Sequence, residues 1–199
     1  KRNSYITVCR DEALQAAREA EQAISAGSYL GPLHGVPVAV KDQFYTKGIR
    51  TTGGSAILKD LVPNEDATVV ANLKAAGSVL LGKLNMSEYA MGDAFFHPFG
   101  TPHNPWDLSR NPGTSSSGSG AATAAFLCAT SLGEDTGGSI RGPASFCGLV
   151  GMRPSWGRVS RYGVMPGVRS MDTIGPLGRT VEDCAITLAA IAGHDSKDR

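Results

Sequence analysis

The chain has 199 residues, 41% of them hydrophobic and 19% charged, which suits a globular domain with a sizeable core. Its net charge of +1 gives no electrostatic case for binding nucleic acid or an acidic membrane surface. Its longest apolar run, around Ala121 to Ala129, is too short to span a bilayer and reads as a buried helix.

No leader pattern is legible at Lys1-Arg2-Asn3-Ser4. Thr7 to Gly27 reads as an amphipathic helix with Gly27 as its stop. A buried strand follows over Val36–Val40 and runs into Lys41-Asp42. Asn64 is positioned to cap a helix that ends at Gly77, with Glu65 and Asp66 in its first turn. Ser78–Leu81 reads as a short strand, Asn85–Met91 as a short helix, and Gly92–Pro112 as a long surface loop. Within that loop Phe95, Phe96 and Phe99 could line a substrate entrance, although packing of the loop itself is the simpler role.

Small residues over Gly118–Ala129 predict a closely packed helix, followed by a strand over Ala129–Leu132. Ser139 opens the next short helix, Leu149–Met152 is a strand, and Pro154–Gly178 is turn-rich. Thr180-Val-Glu-Asp183 resembles a capping box at the head of a helix ending at Gly193. Strands and helices alternate, so the fold class is α/β, a sheet covered by helices, with residues 1–199 as a single partial domain. The absent Met at the start and the polar ending His194-Asp-Ser-Lys-Asp-Arg199 suggest a piece of a longer polypeptide.

Chemistry concentrates in two Ser/Gly stretches, Gly113-Thr-Ser-Ser-Ser-Gly-Ser-Gly and Asp135-Thr-Gly-Gly-Ser-Ile-Arg. Glycine lets backbone N–H groups approach an anion, and a serine after two glycines at a helix start can hold a nucleophile beside oxyanion donors. A helix N-cap is the plain alternative for Ser139. Lys41 ends an apolar strand: if it snorkels to solvent it is structural, and if buried its pKa falls below about 10.4 and it can serve as a base. A Ser-His-Asp triad is not supported, because no G-x-S-x-G elbow is present and His34, His97, His103 and His194 carry no motif. Cys9, Cys128, Cys147 and Cys184 read as reduced thiols of a cytoplasmic protein, and no metal or cofactor is expected.

Three segments together resemble the amidase signature family: Leu33-His-Gly-Val-Pro-Val-Ala-Val-Lys-Asp, the first Ser/Gly loop, and Asp135-Thr-Gly-Gly-Ser-Ile-Arg-Gly-Pro-Ala. The likeness runs from about Gly31 to Gly193 and takes in Gly82-Lys-Leu-Asn-Met-Ser-Glu-Tyr-Ala-Met-Gly, Asn104-Pro-Trp-Asp and Gly148-Leu-Val-Gly-Met-Arg-Pro. It implies the family's mixed-sheet fold, incomplete here, and a Ser–cis-Ser–Lys triad. Ser139 would be the nucleophile, Lys41 the base and Ser115 the bridging cis-serine, with Ser116 as the fallback. Backbone N–H groups of Thr136, Gly137, Gly138 and Ser139 would form the oxyanion hole.

Thr114 and Ser117 stand where the family usually has glycine, a change that keeps the residues small. The implied activity is hydrolysis of a small-molecule amide, by a possible homodimer. The alternative within the family is the glutaminase-type component of glutamyl-tRNA(Gln)/aspartyl-tRNA(Asn) amidotransferase, its A subunit, working with B and C subunits. Asp93-Ala-Phe-Phe-His-Pro-Phe-Gly-Thr-Pro lacks the Ser-Thr-Glu-Asn stretch associated with that component, which favours the stand-alone enzyme. A non-catalytic anion-binding fragment is the reading from another class.

Overall fold

The computed structural model describes residues 3–198; Lys1, Arg2 and Arg199 of the two chain ends lie outside them. The described chain builds one six-stranded mixed sheet. Its strands are β1 (Tyr5–Val8), β2 (Pro37–Lys41), β3 (Val79–Leu84), β4 (Thr130–Glu134), β5 (Val150–Gly151) and β6 (Ile174–Gly178). Their spatial order is β1-β3-β2-β4-β6-β5. The central strands β3, β2 and β4 run parallel, and β1, β6 and β5 join antiparallel. The helices are α1 (Arg10–Ser25), α2 (Thr68–Ala75), α3 (Ser117–Ala124), α4 (Arg141–Cys147) and α5 (Val181–Ile191).

The two-residue period of β2 divides the core. Val38 and Val40 face Val69, Val70 and Leu73 of α2 and Ile191 of α5. Ala39 points the other way, toward Leu84, Ala122 and Cys128. Lys41 shares the parity of Ala39, so the strand delivers it to the α3 side of the sheet.

Several expected elements stand. Helix α1 closes on Gly27 in a Schellman arrangement, with Ser28 N–H donating to Ala23 O at 2.8 Å and Gly27 N–H to Ile24 O at 3.0 Å. Thr180 and Asp183 form the reciprocal capping box of α5. All four cysteines are buried and unpaired.

Others differ. Thr7 and Val8 belong to edge strand β1, and the first helix starts only at Arg10. Helix α2 begins at Thr68 on an Ala67 cap, not at Asn64. The acidic turn is drawn sideways, because Asp66 accepts from Lys47 N–H at 2.8 Å and from Lys74 Nζ at 2.7 Å, while Ala67 N–H pairs with Tyr45 O. Only Glu88–Ala90 forms a short 3-10 turn where a helix over 85–91 was expected. The Asn85 amide is instead buried against Asn3 O and Gly100 O. The long loop after it is not all surface, since His97 and Asn104 are buried.

Strand β6 lies inside the stretch that read as turns. Its Gly175 passes so close to the Met152 carbonyl that a Cβ would collide with it, and Pro176 accepts from Met152 N–H at 3.0 Å. Gly175, one of the residues that suggest a turn, is what lets β6 lie against the Met152 backbone.

Strand β3 carries a second fully buried lysine. Lys83 Nζ donates to Phe44 O at 2.6 Å and Thr51 Oγ1 at 2.7 Å, and lies 3.4 Å from Asp42 Oδ1. Burial pushes its pKa down to about 8 against the raising effect of Asp42. The native form therefore releases this proton near pH 8 while the unfolded chain holds it to about 10.5, and this group's contribution to stability rises with pH across that window. Urea unfolding of wild type and Lys83→Met at both ends of the window should show the difference moving toward wild type by on the order of 3 kcal/mol. A difference independent of pH would refute the burial argument.

Candidate functional site

The carboxyl end of β2, the turn into α3 and the segment between β4 and α4 converge on one point. Lys41 is fully buried there. Its Nζ is 2.8 Å from Ser115 Oγ, 3.4 Å from Glu134 O and 3.5 Å from Glu134 Oε2. Burial drives the Lys41 pKa below 10.5, outweighing the raising influence of Glu134, Asp135 and Asp172. The snorkelling alternative for this side chain is thereby excluded.

The Thr114–Ser115 peptide bond is cis. Ser116, the fallback, turns its hydroxyl to Glu134 O at 3.3 Å and donates its N–H to Ser139 O at 3.3 Å. Of the two serines, only Ser115 meets the lysine. Ser116 is packed over Gly133 of β4, where an added Cβ would sit 2.9 Å from Ser116 Oγ, 3.0 Å from Ile140 Cγ1 and 3.0 Å from Leu177 Cδ1. A side chain at position 133 would push the serine turn and the Ser139 loop away from the sheet together.

Ser139 is half-buried and joins the cluster through its backbone carbonyl. Its hydroxyl makes no hydrogen bond among the described residues, and it lines an open groove with Thr114, Gly137, Gly138 and Arg141. The helix that follows starts at Arg141, and its first N–H groups are not free as expected. The Asp135 carboxylate accepts from Gly138 N–H at 2.7 Å, Ile140 N–H at 3.1 Å and Arg141 N–H at 3.3 Å. Gly138 is thus the exception among the four expected donors. The N–H groups of Thr136, Gly137 and Ser139 have no acceptor among the described residues.

Asp135 is the member of this site that the motifs did not single out. Its carboxylate also accepts from Arg141 Nε at 3.0 Å and Nη2 at 3.1 Å, and Arg153 Nε lies 3.4 Å away. Burial alone would raise its pKa, but the Arg141 guanidinium and the loop N–H groups hold it below 3.8. Thr136 Oγ1 lies 2.7 Å from Glu134 Oε1 and 2.6 Å from Asp172 Oδ1, and Asp172 ties the loop to Gly167 N–H and Val168 N–H. A run of two acids, Glu134-Asp135, at the end of the buried strand β4 is the available signal. Charged side chains remain buried at such a place only when their partners are supplied.

The family model described as Amidase matches residues 1–199. The A subunit of glutamyl-tRNA(Gln) amidotransferase from Geobacter sulfurreducens is 57% identical over 197 residues, covering 98% of this chain and 40% of that protein. The structure of native peptide amidase from Stenotrophomonas maltophilia superposes with a TM-score of 0.95 at 40% identity, over 99% of this chain and 41% of that one. The A subunit of glutamyl-tRNA(Gln) amidotransferase from Thermotoga maritima superposes with a TM-score of 0.81 at 40% identity, over 97% of this chain and 46% of that one. The chain therefore spans about 40% of the length of the curated relatives it matches.

Proposed function

The chain belongs to the amidase family, and from that premise we propose that it carries the centre of an enzyme cleaving a carbon–nitrogen amide bond through an acyl-enzyme on Ser139. The observation that carries this reading is the 2.8 Å contact between buried Lys41 and Ser115. A lysine whose charge is disfavoured by burial offers a lone pair at neutral pH.

Neutral Lys41 accepts the Ser115 proton as Ser115 accepts that of Ser139. Ser139 Oγ bonds to the amide carbon, and the carbonyl electrons move to oxygen. The N–H groups of Thr136, Gly137 and Ser139 stabilise that oxyanion, while Gly138, held by Asp135, shapes the loop. The C–N bond then breaks as Ser115 protonates the departing nitrogen and recovers a proton from Lys41. Water adds to the ester by the same relay, releasing the carboxylic acid and restoring Ser139. No cofactor is needed for these steps.

An aryl or alkyl fluorophosphonate should label the complete polypeptide once, at Ser139, as located by peptide mass spectrometry. Labelling elsewhere, or none, refutes the assignment of the nucleophile.

The 57% identity to the A subunit of an amidotransferase favours a second reading, in which the amide is that of glutamine and the chain works with B and C subunits. Co-purification of such subunits with the complete polypeptide would select it. The stand-alone enzyme is the preferred reading, acting on a small-molecule amide in the cytoplasm.

A further inference from the structure

Beside Lys41 lies a row of three side chains that take no part in the serine relay. Thr136 Oγ1 stands between Glu134 Oε1 at 2.7 Å and Asp172 Oδ1 at 2.6 Å. Both acids are buried. A hydroxyl has one hydrogen to give. With both acids ionised, one of these short contacts would set lone pair against lone pair in the interior. The row is satisfied when one carboxyl carries a proton: that carboxyl donates to Thr136 Oγ1, which donates to the other.

The remaining partners say where the proton rests. Asp172 accepts from Val168 N–H at 2.8 Å and Gly167 N–H at 2.9 Å, which suits a carboxylate. Glu134 Oε2 meets Lys41 Nζ and Gln43 Nε2, each at 3.5 Å, and Gln43 Nε2 makes a shorter bond to Met165 O at 3.0 Å. These long contacts suit a neutral acid beside a neutral amine.

We propose that Glu134 and Asp172 share one proton through the Thr136 hydroxyl, and that it shifts from Glu134 to Asp172 when Lys41 takes up the serine proton. This rests on the reading of Lys41 as the base for Ser139. In the shift the Glu134 proton passes to Thr136 Oγ1 as the Thr136 hydrogen passes to Asp172 Oδ1. A carboxylate then faces the new ammonium, and the shift reverses when Lys41 gives its proton back. Lys41 thus gains charge without being left unpaired in the interior. The three side chains act through Lys41, not on the substrate.

The test uses the complete polypeptide as wild type, Asp172→Asn and Glu134→Gln. Infrared difference spectra at pH 7 should show the carbonyl stretch of a protonated carboxyl lost in both variants, because either amide donates to Thr136 and leaves the other acid ionised. The pH limb of fluorophosphonate labelling should move in opposite directions. Asp172→Asn fixes the charge on Glu134, so the midpoint rises by roughly one unit or more. Glu134→Gln leaves no carboxylate against Nζ there, so the midpoint falls by a similar amount. Asp135 also faces this point, but Arg141 and Arg153 hold its carboxylate and all three proteins keep it. Two independent carboxylates predict a falling midpoint for Asp172→Asn, since removing a negative charge near Lys41 lowers its pKa. That fall, or no protonated-carboxyl band that the variants lose, overturns the proposal and leaves Ser139 intact. Should Asp172→Asn fail to fold, the Glu134→Gln spectrum decides alone. A wild type that does not label at Ser139 overturns the acyl-enzyme reading, while the spectra, which need no probe, still judge the shared proton.

Discussion

Lys41→Met is expected to slow fluorophosphonate labelling of Ser139 by about 10²- to 10⁴-fold at pH 7, the range a positioned general base contributes. Methionine keeps much of the volume but removes the only nitrogen within 2.8 Å of Ser115 Oγ among the described residues. The substitution also takes from the buried Glu134 carboxylate the amine 3.5 Å from its Oε2, and leaving a buried carboxylate short of a partner is destabilising. Lys41→Met/Glu134→Gln removes that burden, so a folded protein is available for the measurement. Slow labelling in the folded double variant supports the base, and wild-type labelling in either variant refutes it.

The pH dependence provides a second check. Wild-type labelling should rise tenfold per unit while Lys41 is protonated and level off above its pKa, which burial places below 10.5. A limb with its midpoint at or above 10.5 would mean that the titrating base is not this buried amine.

Asp135→Ala is expected to have the largest effect on stability. It removes the acceptor for three loop N–H groups and two Arg141 N–H groups, and leaves Arg153 facing an empty position. By the cost of breaking a buried pair, the loss is about 3–5 kcal/mol, or roughly 10–15 °C in melting temperature for a chain of this size. Because the folded pKa of Asp135 lies below 3.8, its contribution is complete above that value and fades as pH falls through the depressed one. Thermal melts at pH 7 and pH 3 should therefore show the variant's deficit shrinking in acid. A variant as stable as wild type at pH 7 would show that the carboxylate does not hold the loop.

What could be read in advance follows a physical pattern. Strand β2, the Gly27 stop and the Thr180 capping box are local signals, each set by a few neighbouring residues, and they are legible. Strand β6 is not, because Gly175 and Pro176 act through the backbone of Met152, more than twenty positions away in sequence. Asn64 fails as a cap for a similar reason: Asp66 and Ala67 find better partners at Tyr45 and Lys47 than in their own helix turn.

The site divides the same way. Lys41, Ser115 and Ser139 stand in recognisable strings, so their types and order could be named. Glu134, Asp172 and the buried Lys83–Asp42 pair depend on contacts distant in sequence; Asp135 stands inside a recognisable string, but its role emerges only when the loop folds its N–H groups and the Arg141 guanidinium onto the carboxylate. The loss of Gly138 as a free donor is a consequence of Asp135 alone.

Gly133 has a bearing on how such a protein can change over generations. One missing side chain on β4 lies beneath both the serine turn and the Ser139 loop. A substitution tolerated in one loop only after the sheet beneath it shifts will thus be judged by the other loop as well. The two halves of the site share one foundation, so accepted changes in them should come in compensating pairs, and a loop transplanted alone from a relative would arrive without the footing it was fitted to.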